Sequence, residues 1–374
     1  MSRKKILHFH LRPLLSGPQN MMFHILEHLN PAEYDIYVTS QPEGPLVEAT
    51  RSRGYTHIAL KFLRHPISPL DILAFIEFYL ICRKYKFDIV HTHSSKPGLI
   101  GRIAARLAGV PLVIYTGHGW TFHFGQTPLT YNFYMTLERI AAHFCDRVIF
   151  VSDSLRTFYV RRKMIKPDKA VTIRNALPPV FHEQIRIASL ERNPVGKEVV
   201  IGSLLRFSEA KNIIATIQVA IKVCKARDDV RFIFIGDGEL FELCRLMVQA
   251  NRLEERILLP GWQNNTAAAL AEMDAFLLYS VFEGFPLSIV EAMTSSLPVI
   301  GSDIPGIAEL VDDTCGWLIP FNQPALLERE LLLILDNKNT LRTKGKAAYM
   351  KVTGLCSYDR FLSGYEAVYA GKEG

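Results

Sequence analysis

The chain has 374 residues, 49% hydrophobic and 21% charged, an ordinary globular composition long enough for two domains with sizeable cores. Its net charge of +6 is lopsided: residues 1–190 carry 24 Lys/Arg against 13 Asp/Glu, and residues 191–374 carry 19 against 24, so a half of +11 precedes a half of −5. Six scattered cysteines with no C-x-x-C spacing argue against a disulfide framework or structural zinc. No window of about 18 uncharged apolar residues offers a membrane-spanning helix.

Apolar runs alternate with helical patterns along the whole chain. Strands are predicted at Lys5–His10, Tyr34–Thr39, Ile58–Phe62, Asp88–His93, Leu112–Thr116, Arg147–Val151 and Ala170–Arg174. Helices are predicted between them, among them Ile72–Lys84, Ile100–Leu107 and Tyr131–Phe144. The series restarts at Val199–Gly202 and continues through Arg231–Ile235, Ile257–Leu259, Ala275–Tyr279, Pro298–Gly301 and Trp317–Ile319. Such alternation predicts parallel sheets covered on both faces, and two series predict two doubly wound α/β domains. The expected boundaries are a first domain over 1–180, a linker over 181–197 and a second domain over 198–355. A final helix at about 356–374 would pack back on the first domain. The linker reading rests on Pro178-Pro179, Asn193-Pro194 and Gly196.

Open parallel sheets bind ligands beyond the carboxyl ends of their strands, so the loops there hold the candidates. With two such domains, the cleft between them is the expected site. The first strand leads to Ser16-Gly17-Pro18, whose glycine allows close backbone approach. This is not a G-x-G-x-x-G fingerprint, which disfavours a nicotinamide cofactor. His118 lies in Thr116-Gly117-His118-Gly119-Trp120, where an uncrowded imidazole can donate a hydrogen bond or move a proton. A structural turn is the competing reading. Arg206 and Lys211 follow a strand and precede a helix, a spacing suited to clamping phosphate. Gly236-Asp237-Gly238-Glu239 and Ser302-Asp303-Ile304-Pro305-Gly306 occupy equivalent loops.

The most specific segment runs from Glu283 to Met293. Glu283 falls on a strand-to-helix loop with Gly284 and Phe285, Pro286 suits the first helical turn, and Leu287 and Ser288 lead to Glu291 inside the helix. Free N–H groups at that helix start form an anion site. His24-x-x-Glu27-His28 matches an inverted zinc-protease pattern but lacks an evident third ligand. His91 and His93 alternate on a strand end, where packing or loop hydrogen bonding suits them. The apolar stretch from Pro69 to Leu80, followed by Arg83, Lys84 and Lys86, reads as a buried core helix, with a membrane-surface helix as the alternative. The basic-aromatic stretch Arg156–Lys169 is a second candidate for membrane or lipid-phosphate contact.

Together these residues resemble glycosyltransferase family 4, retaining enzymes of the two-domain GT-B fold. The resemblance spans nearly the whole chain and is strongest from Val199 to Pro320. Glu283–Met293 is similar to the family's E-x7-E segment, Arg206 and Lys211 to its phosphate-binding pair, and His118 to its Gly-His-Gly position. The resemblance implies a nucleotide-sugar donor on the second domain and an acceptor on the first. Glu291 would bind ribose. Arg206, Lys211 and the amides of Gly284, Phe285, Pro286, Leu287 and Ser288 (amide-bearing residues aside from the proline) would surround the diphosphate, approached by Gly17. Glu283 would orient the sugar, touched also by His118. Catalytic roles thus fall on His118, Arg206, Lys211 and Glu283, with no metal and no separate cofactor. Two positions depart from the family pattern: Ser16-Gly17-Pro18 replaces a common Gly-Gly pair, and Asn212 stands where glycine is usual.

The expected partners are a UDP-sugar, with GDP-mannose as alternative, and a sugar acceptor on polyprenyl diphosphate, with no nucleic acid. A bacterial polysaccharide enzyme of this kind would be cytoplasmic, touching the inner membrane through its basic first half. A nucleotide-sugar epimerase and a non-catalytic nucleotide-sugar-binding subunit are the competing readings.

Overall fold

The computed structural model describes residues 3–64, 68–119, 127–190 and 198–371. Its strands are β1 (Lys4–Phe9), β2 (Tyr34–Ser40), β3 (Thr56–Ala59), β4 (Ile89–His93), β5 (Leu112–Gly117), β6 (Arg147–Phe150), β7 (Ala170–Thr172), β8 (Val199–Leu204), β9 (Val230–Ile235), β10 (Ile257–Gly261), β11 (Ala275–Leu278), β12 (Val299–Ser302) and β13 (Gly316–Ile319). The helices are α1 (Gly17–His28), α2 (Pro45–Ser52), α3 (Asp71–Tyr85), α4 (Ser95–Leu107), α5 (Pro128–Ala142), α6 (Asp153–Arg161), α7 (Pro179–Leu190), α8 (Ile213–Ala226), α9 (Phe241–Ala250), α10 (Thr266–Ala271), α11 (Leu287–Thr294), α12 (Pro305–Ala308), α13 (Pro324–Asp336), α14 (Asn339–Leu355) and α15 (Tyr358–Tyr369).

The chain divides into two compact units: Met1–Asn175 with Asp359–Gly374, and Ala176–Tyr358. The first holds a parallel sheet of order β3-β2-β1-β4-β5-β6-β7, the second one of order β10-β9-β8-β11-β12-β13. Every residue of β4 and β8 is buried, as strands covered on both faces require. The strand order reverses between β1 and β4 in one sheet and between β8 and β11 in the other. At such a reversal the two flanking loops run to opposite faces and leave a crevice at the carboxyl edge.

Inside the first unit, Arg102 of α4 is fully buried and bonds both carboxylate oxygens of Glu138 on α5, at 2.8 and 2.9 Å. Its guanidinium lies 4.2 Å from the ring centre of Tyr115 on β5. This fork pins two helices to the sheet through a charge pair that survives burial because every charge has a partner.

The structure revises several expectations. The third strand runs over Thr56–Ala59 rather than Ile58–Phe62, because the Lys61 and Phe62 N–H groups donate to the Glu77 carboxylate instead of to a neighbouring strand. The segment expected as linker is helical over Pro179–Leu190, and proline suits that helix start because its missing N–H is not needed there. Ile185 of α7 is fully buried, the helix packs on α10 and α11, and it groups with the second unit, which begins at Ala176. Residues 191–197 of the expected linker lie outside the described residues, as do Trp120 and residues 372–374. Helix α15 groups with the first unit and buries Tyr365 and Tyr369. Helix α3, expected as a core helix, is two-faced: Ala74, Phe78 and Cys82 are buried, while Ile72, Ile76 and Leu80 are 69%, 46% and 58% exposed.

Candidate active site

In the second unit the predicted residues gather at the carboxyl edge of the sheet, on the loops after β8, β9, β11 and β12. Lys211 ends a short 3-10 turn after β8, and its Nζ donates to Glu283 Oε1 from the loop after β11. The pair therefore closes over the β8/β11 reversal. The backbone holds it there: Val281 N–H donates to Ala210 C=O at 2.9 Å, joining the two loops beside the charges. Ser280 Oγ donates to Glu283 Oε1 at 2.7 Å, and Ser302 Oγ on β12 donates to Ser280 C=O at 2.6 Å. On the other side of the loop, a side chain at Gly306 would lie 2.1 Å from the Glu283 carbonyl oxygen, so only glycine lets α12 come this close.

Asn212, where the family resemblance suggests glycine, has φ 51° and ψ 33°. Asparagine tolerates this left-handed conformation better than most side chains. Its Nδ2 donates to Phe321 C=O at 3.1 Å, so the substitution meets the same backbone demand and adds a tether. Arg206 does not share an acceptor with Lys211. It bonds Glu239 Oε2 through Nε and Nη2, at 3.1 and 3.0 Å, and both side chains are about half exposed. Its loop stays against β9 through Leu205 N–H to Ile235 C=O and Phe207 N–H to Asp237 C=O, each 3.0 Å. Gly236, at φ 140°, makes that approach possible.

Glu291 lies inside α11, as its position predicts, while Pro286 is the residue just before the helix rather than part of its first turn. Proline cannot donate there and its carbonyl accepts from Ile289 and Val290 N–H at 3.1 and 3.3 Å. The Leu287 and Ser288 N–H groups then have no acceptor within the helix, as in any first turn. Burial pushes the Glu291 carboxyl up to about 7. No side chain of the described residues bonds or pairs with that carboxyl.

In the first unit, Gly17 opens α1 behind Ser16, which has extended backbone and bonds Gln19 through its hydroxyl. His118 follows β5 and is partly exposed. Its Nε2 lies 2.9 Å from His93 Nδ1. His8, His91 and His93 are buried, and burial leaves them neutral: His8 is pulled down to about 3, and His91 and His93 well below the ordinary histidine value. His118 is pulled down to about 4 for the same reason. His91 and His93 alternate on β4, as the sequence predicts, and the structure sets His8 of β1 directly beside His91. Tyr369, which bonds His91 from 278 residues away, had no local signal. Nor did Ser280, whereas Glu239 and Gly306 lie in strand-end loops that the sequence marks. His24 Nδ1 lies 3.9 Å from Glu27 Oε2 and His28 Nε2 lies 3.2 Å from Glu366 Oε1.

Residues 15–180 match the family model described as Glycosyltransferase Family 4, and residues 187–351 that described as Glycosyl transferases group 1. The Escherichia coli UDP-Gal:alpha-D-GlcNAc-diphosphoundecaprenol alpha-1,3-galactosyltransferase is 33% identical over 352 residues, covering 90% of this chain and 89% of that protein. The Bacillus anthracis N-acetyl-alpha-D-glucosaminyl L-malate synthase is 26% identical over 309 residues, covering 80% and 79%. Among solved structures, Thermosynechococcus elongatus sucrose-phosphate synthase superposes with a TM-score of 0.79 at 19% identity, covering 99% of both chains. Anabaena HepE in complex with UDP and glucose gives 0.76 at 18%, covering 98% of this chain and 100% of that one. The fold is thus GT-B, and the protein is a glycosyltransferase. Within that class, the chain belongs to glycosyltransferase family 4.

Proposed function

We propose that this enzyme moves a hexose, with retention of configuration, from a UDP-sugar to a hydroxyl of a sugar carried on polyprenyl diphosphate, in the assembly of a surface polysaccharide. The observation that carries the reading is the Lys211–Glu283 pair over the β8/β11 reversal, with the α11 amides and the unpartnered Glu291 on the adjoining segment. One donor molecule satisfies all three. Its ribose hydroxyls donate to Glu291, its diphosphate takes the Leu287 and Ser288 N–H groups with Lys211 and Arg206, and its sugar hydroxyls meet Glu283. The roles of Gly17 towards the diphosphate and His118 towards the sugar rest on the family resemblance alone.

Breaking the anomeric bond loads negative charge on the departing diphosphate. Arg206, Lys211 and the α11 amides neutralise that charge as it grows, each clamp contributing roughly 3 kcal/mol. The departing phosphate oxygen takes the proton of the incoming hydroxyl, so the new bond forms on the face the old one leaves. Support for the acceptor comes from the lipid-linked substrate in the name of the Escherichia coli relative. The basic first half and the exposed apolar face of α3, followed by exposed Arg83, Lys84 and Lys86, suit the cytoplasmic surface of an anionic membrane.

The test is a thermal-shift screen of nucleotides and nucleotide sugars, followed by transfer of a radiolabelled sugar to lipid extract or to a synthetic polyprenyl diphosphate sugar. Stabilisation by UDP and a labelled lipid product are expected. Conversion of the UDP-sugar without any acceptor would point instead to an epimerase. Binding of UDP with no transfer to any lipid would point to a non-catalytic subunit.

A further inference from the structure

The face of the first sheet that ends at His118 carries a continuous chain of polar side chains. His8 and His91 are paired directly across β1 and β4, and His93 and Thr116 across β4 and β5. Residues two apart on a strand share a face, so these groups line one side of the sheet, with Tyr369 of α15 bonded among them. From the partly exposed end inward, His118 Nε2 meets His93 Nδ1 at 2.9 Å, and His93 Nε2 meets His8 Nδ1 at 2.9 Å. His8 Nε2 meets the Tyr369 hydroxyl at 3.3 Å, the hydroxyl meets His91 Nδ1 at 2.8 Å, and His91 Nε2 meets Thr116 Oγ1 at 2.7 Å. All six ring nitrogens of His8, His91 and His93 have a partner.

A neutral imidazole has one N–H and one bare nitrogen, and a hydroxyl has one proton to give. Along the imidazole-to-imidazole links the donors must all point the same way, since a reversal sets two donors or two lone pairs face to face; the Tyr369 hydroxyl, with one proton and two lone pairs, can accept from His8 whether it donates to His91 or accepts from it. We propose that this chain fixes the tautomer of His118 from the C-terminal helix, with Tyr369 and His93 as positioning residues. The shorter of the two Tyr369 contacts, to His91 Nδ1, matches an O–H donating to nitrogen, and the longer, to His8, matches N–H donating to oxygen. That direction puts protons on His8 Nε2, His93 Nε2 and His118 Nε2. The His118 Nδ1 lone pair is then left free to accept, so a hydroxyl donor is the ligand group it suits. That this donor is a sugar hydroxyl rests on the function proposed above; the tautomer does not.

His8, His91 and His93 also have ring nitrogens within 4.8 Å of one another, a spacing open to a metal ion. The hydrogen bonds already engage every lone pair such an ion would need. Metal analysis of the purified enzyme therefore forms one arm of the test, and a stoichiometric transition metal that is lost in His91→Gln would overturn the chain.

The main arm is NMR of the enzyme labelled at histidine ring nitrogens, with the His118 signals assigned from the spectrum of His118→Gln. The wild type is expected to show His118 as a single Nε2–H tautomer. Tyr369→Phe cuts the chain while keeping the ring, and is expected to give a mixture of tautomers at His118. His93→Gln, tested separately in case either variant folds poorly, is expected to do the same. An unchanged His118 tautomer in both folded variants, or an Nδ1–H form in the wild type, overturns the proposal. Turnover with saturating donor is expected to fall roughly tenfold in Tyr369→Phe with little change in KM, the scale set by groups that orient a functional histidine from behind. Full transfer by His118→Gln would sink the sugar-contact reading and leave the tautomer result standing.

Discussion

Lys211 donates to Glu283 across 72 residues of sequence and over the point where the strand order of the second sheet reverses. The two side chains are 23% and 11% exposed, so the pair sits in the mouth of the site and not on open surface. On the proposed assignment, a bound diphosphate would compete with Glu283 for the same ammonium, and the released carboxylate would accept from donor hydroxyls.

Lys211→Ala removes the proposed clamp and the charged partner of Glu283, leaving it the Ser280 hydroxyl. Turnover is expected to fall on the order of a hundredfold, because one charge-stabilising contact is worth about 3 kcal/mol. Steady-state transfer kinetics check this, and near-normal turnover would end the clamp assignment. Glu283→Gln is expected to damage turnover more than donor binding.

Glu291 gives a pH dependence of known sign. Its carboxyl is raised to about 7 by burial, so the carboxylate is lost as pH falls through that value. Ribose binding that uses the carboxylate should therefore strengthen from pH 6 to pH 8. The raised group penalises the folded state above its ordinary value of 4.5, so ligand-free Glu291→Gln should gain stability at pH 8, by at most about 3 kcal/mol, and none at pH 4. The same variant should bind UDP more weakly. Calorimetric titration across pH and urea unfolding read the two effects, and pH-independent UDP affinity would refute the role.

The Arg102–Glu138 fork is a structural charge pair with both partners buried. Removing only Glu138, as Glu138→Ala, strands the guanidinium and is expected to cost about 3–5 kcal/mol. A double change to Met at both positions should recover most of that loss. Denaturant unfolding of the three variants checks the ordering, and a loss below 1 kcal/mol in the single variant would show that the pair is hydrated.

The buried histidines make the first unit acid-sensitive. His8 is lowered to about 3 and His118 to about 4 from an ordinary 6.5, and burial also lowers His10, His91 and His93 well below it. The unfolded chain then binds protons that the folded one refuses, so stability is lost as pH falls from about 6.5 towards 4, at roughly 1.4 kcal/mol per pH unit for each histidine. The midpoint of thermal unfolding should drop steeply between pH 6.5 and pH 5. A flat profile there would mean these rings accept protons in the folded state.

The exposed face of α3 tests membrane contact. Ile76→Glu with Leu80→Glu should leave the folded core intact, since neither side chain belongs to it. Sedimentation with anionic vesicles should fall on the order of tenfold. Equal binding by the double variant would move the contact elsewhere, and no binding by the wild type would remove it.

The sequence by itself determined the two doubly wound series, because parallel strands buried on both faces read as continuous apolar runs and their helices as periodic ones. It also put Lys211, Glu283 and His118 after strands and Glu291 inside a helix, where the structure has them, since loops at strand ends carry their own composition. It misplaced α7, whose polar, proline-led segment looks like linker until Ile185 finds a buried place against α10 and α11. It could not supply the partners. Whether Lys211 meets Glu283 and Arg206 meets Glu239, and whether Tyr369 closes a chain of histidines, depends on strand order and on where the last helix packs. Those contacts join residues tens to hundreds of positions apart, and no local pattern encodes them: short-range periodicity sets the elements, while only their packing brings distant polar groups within hydrogen-bond reach.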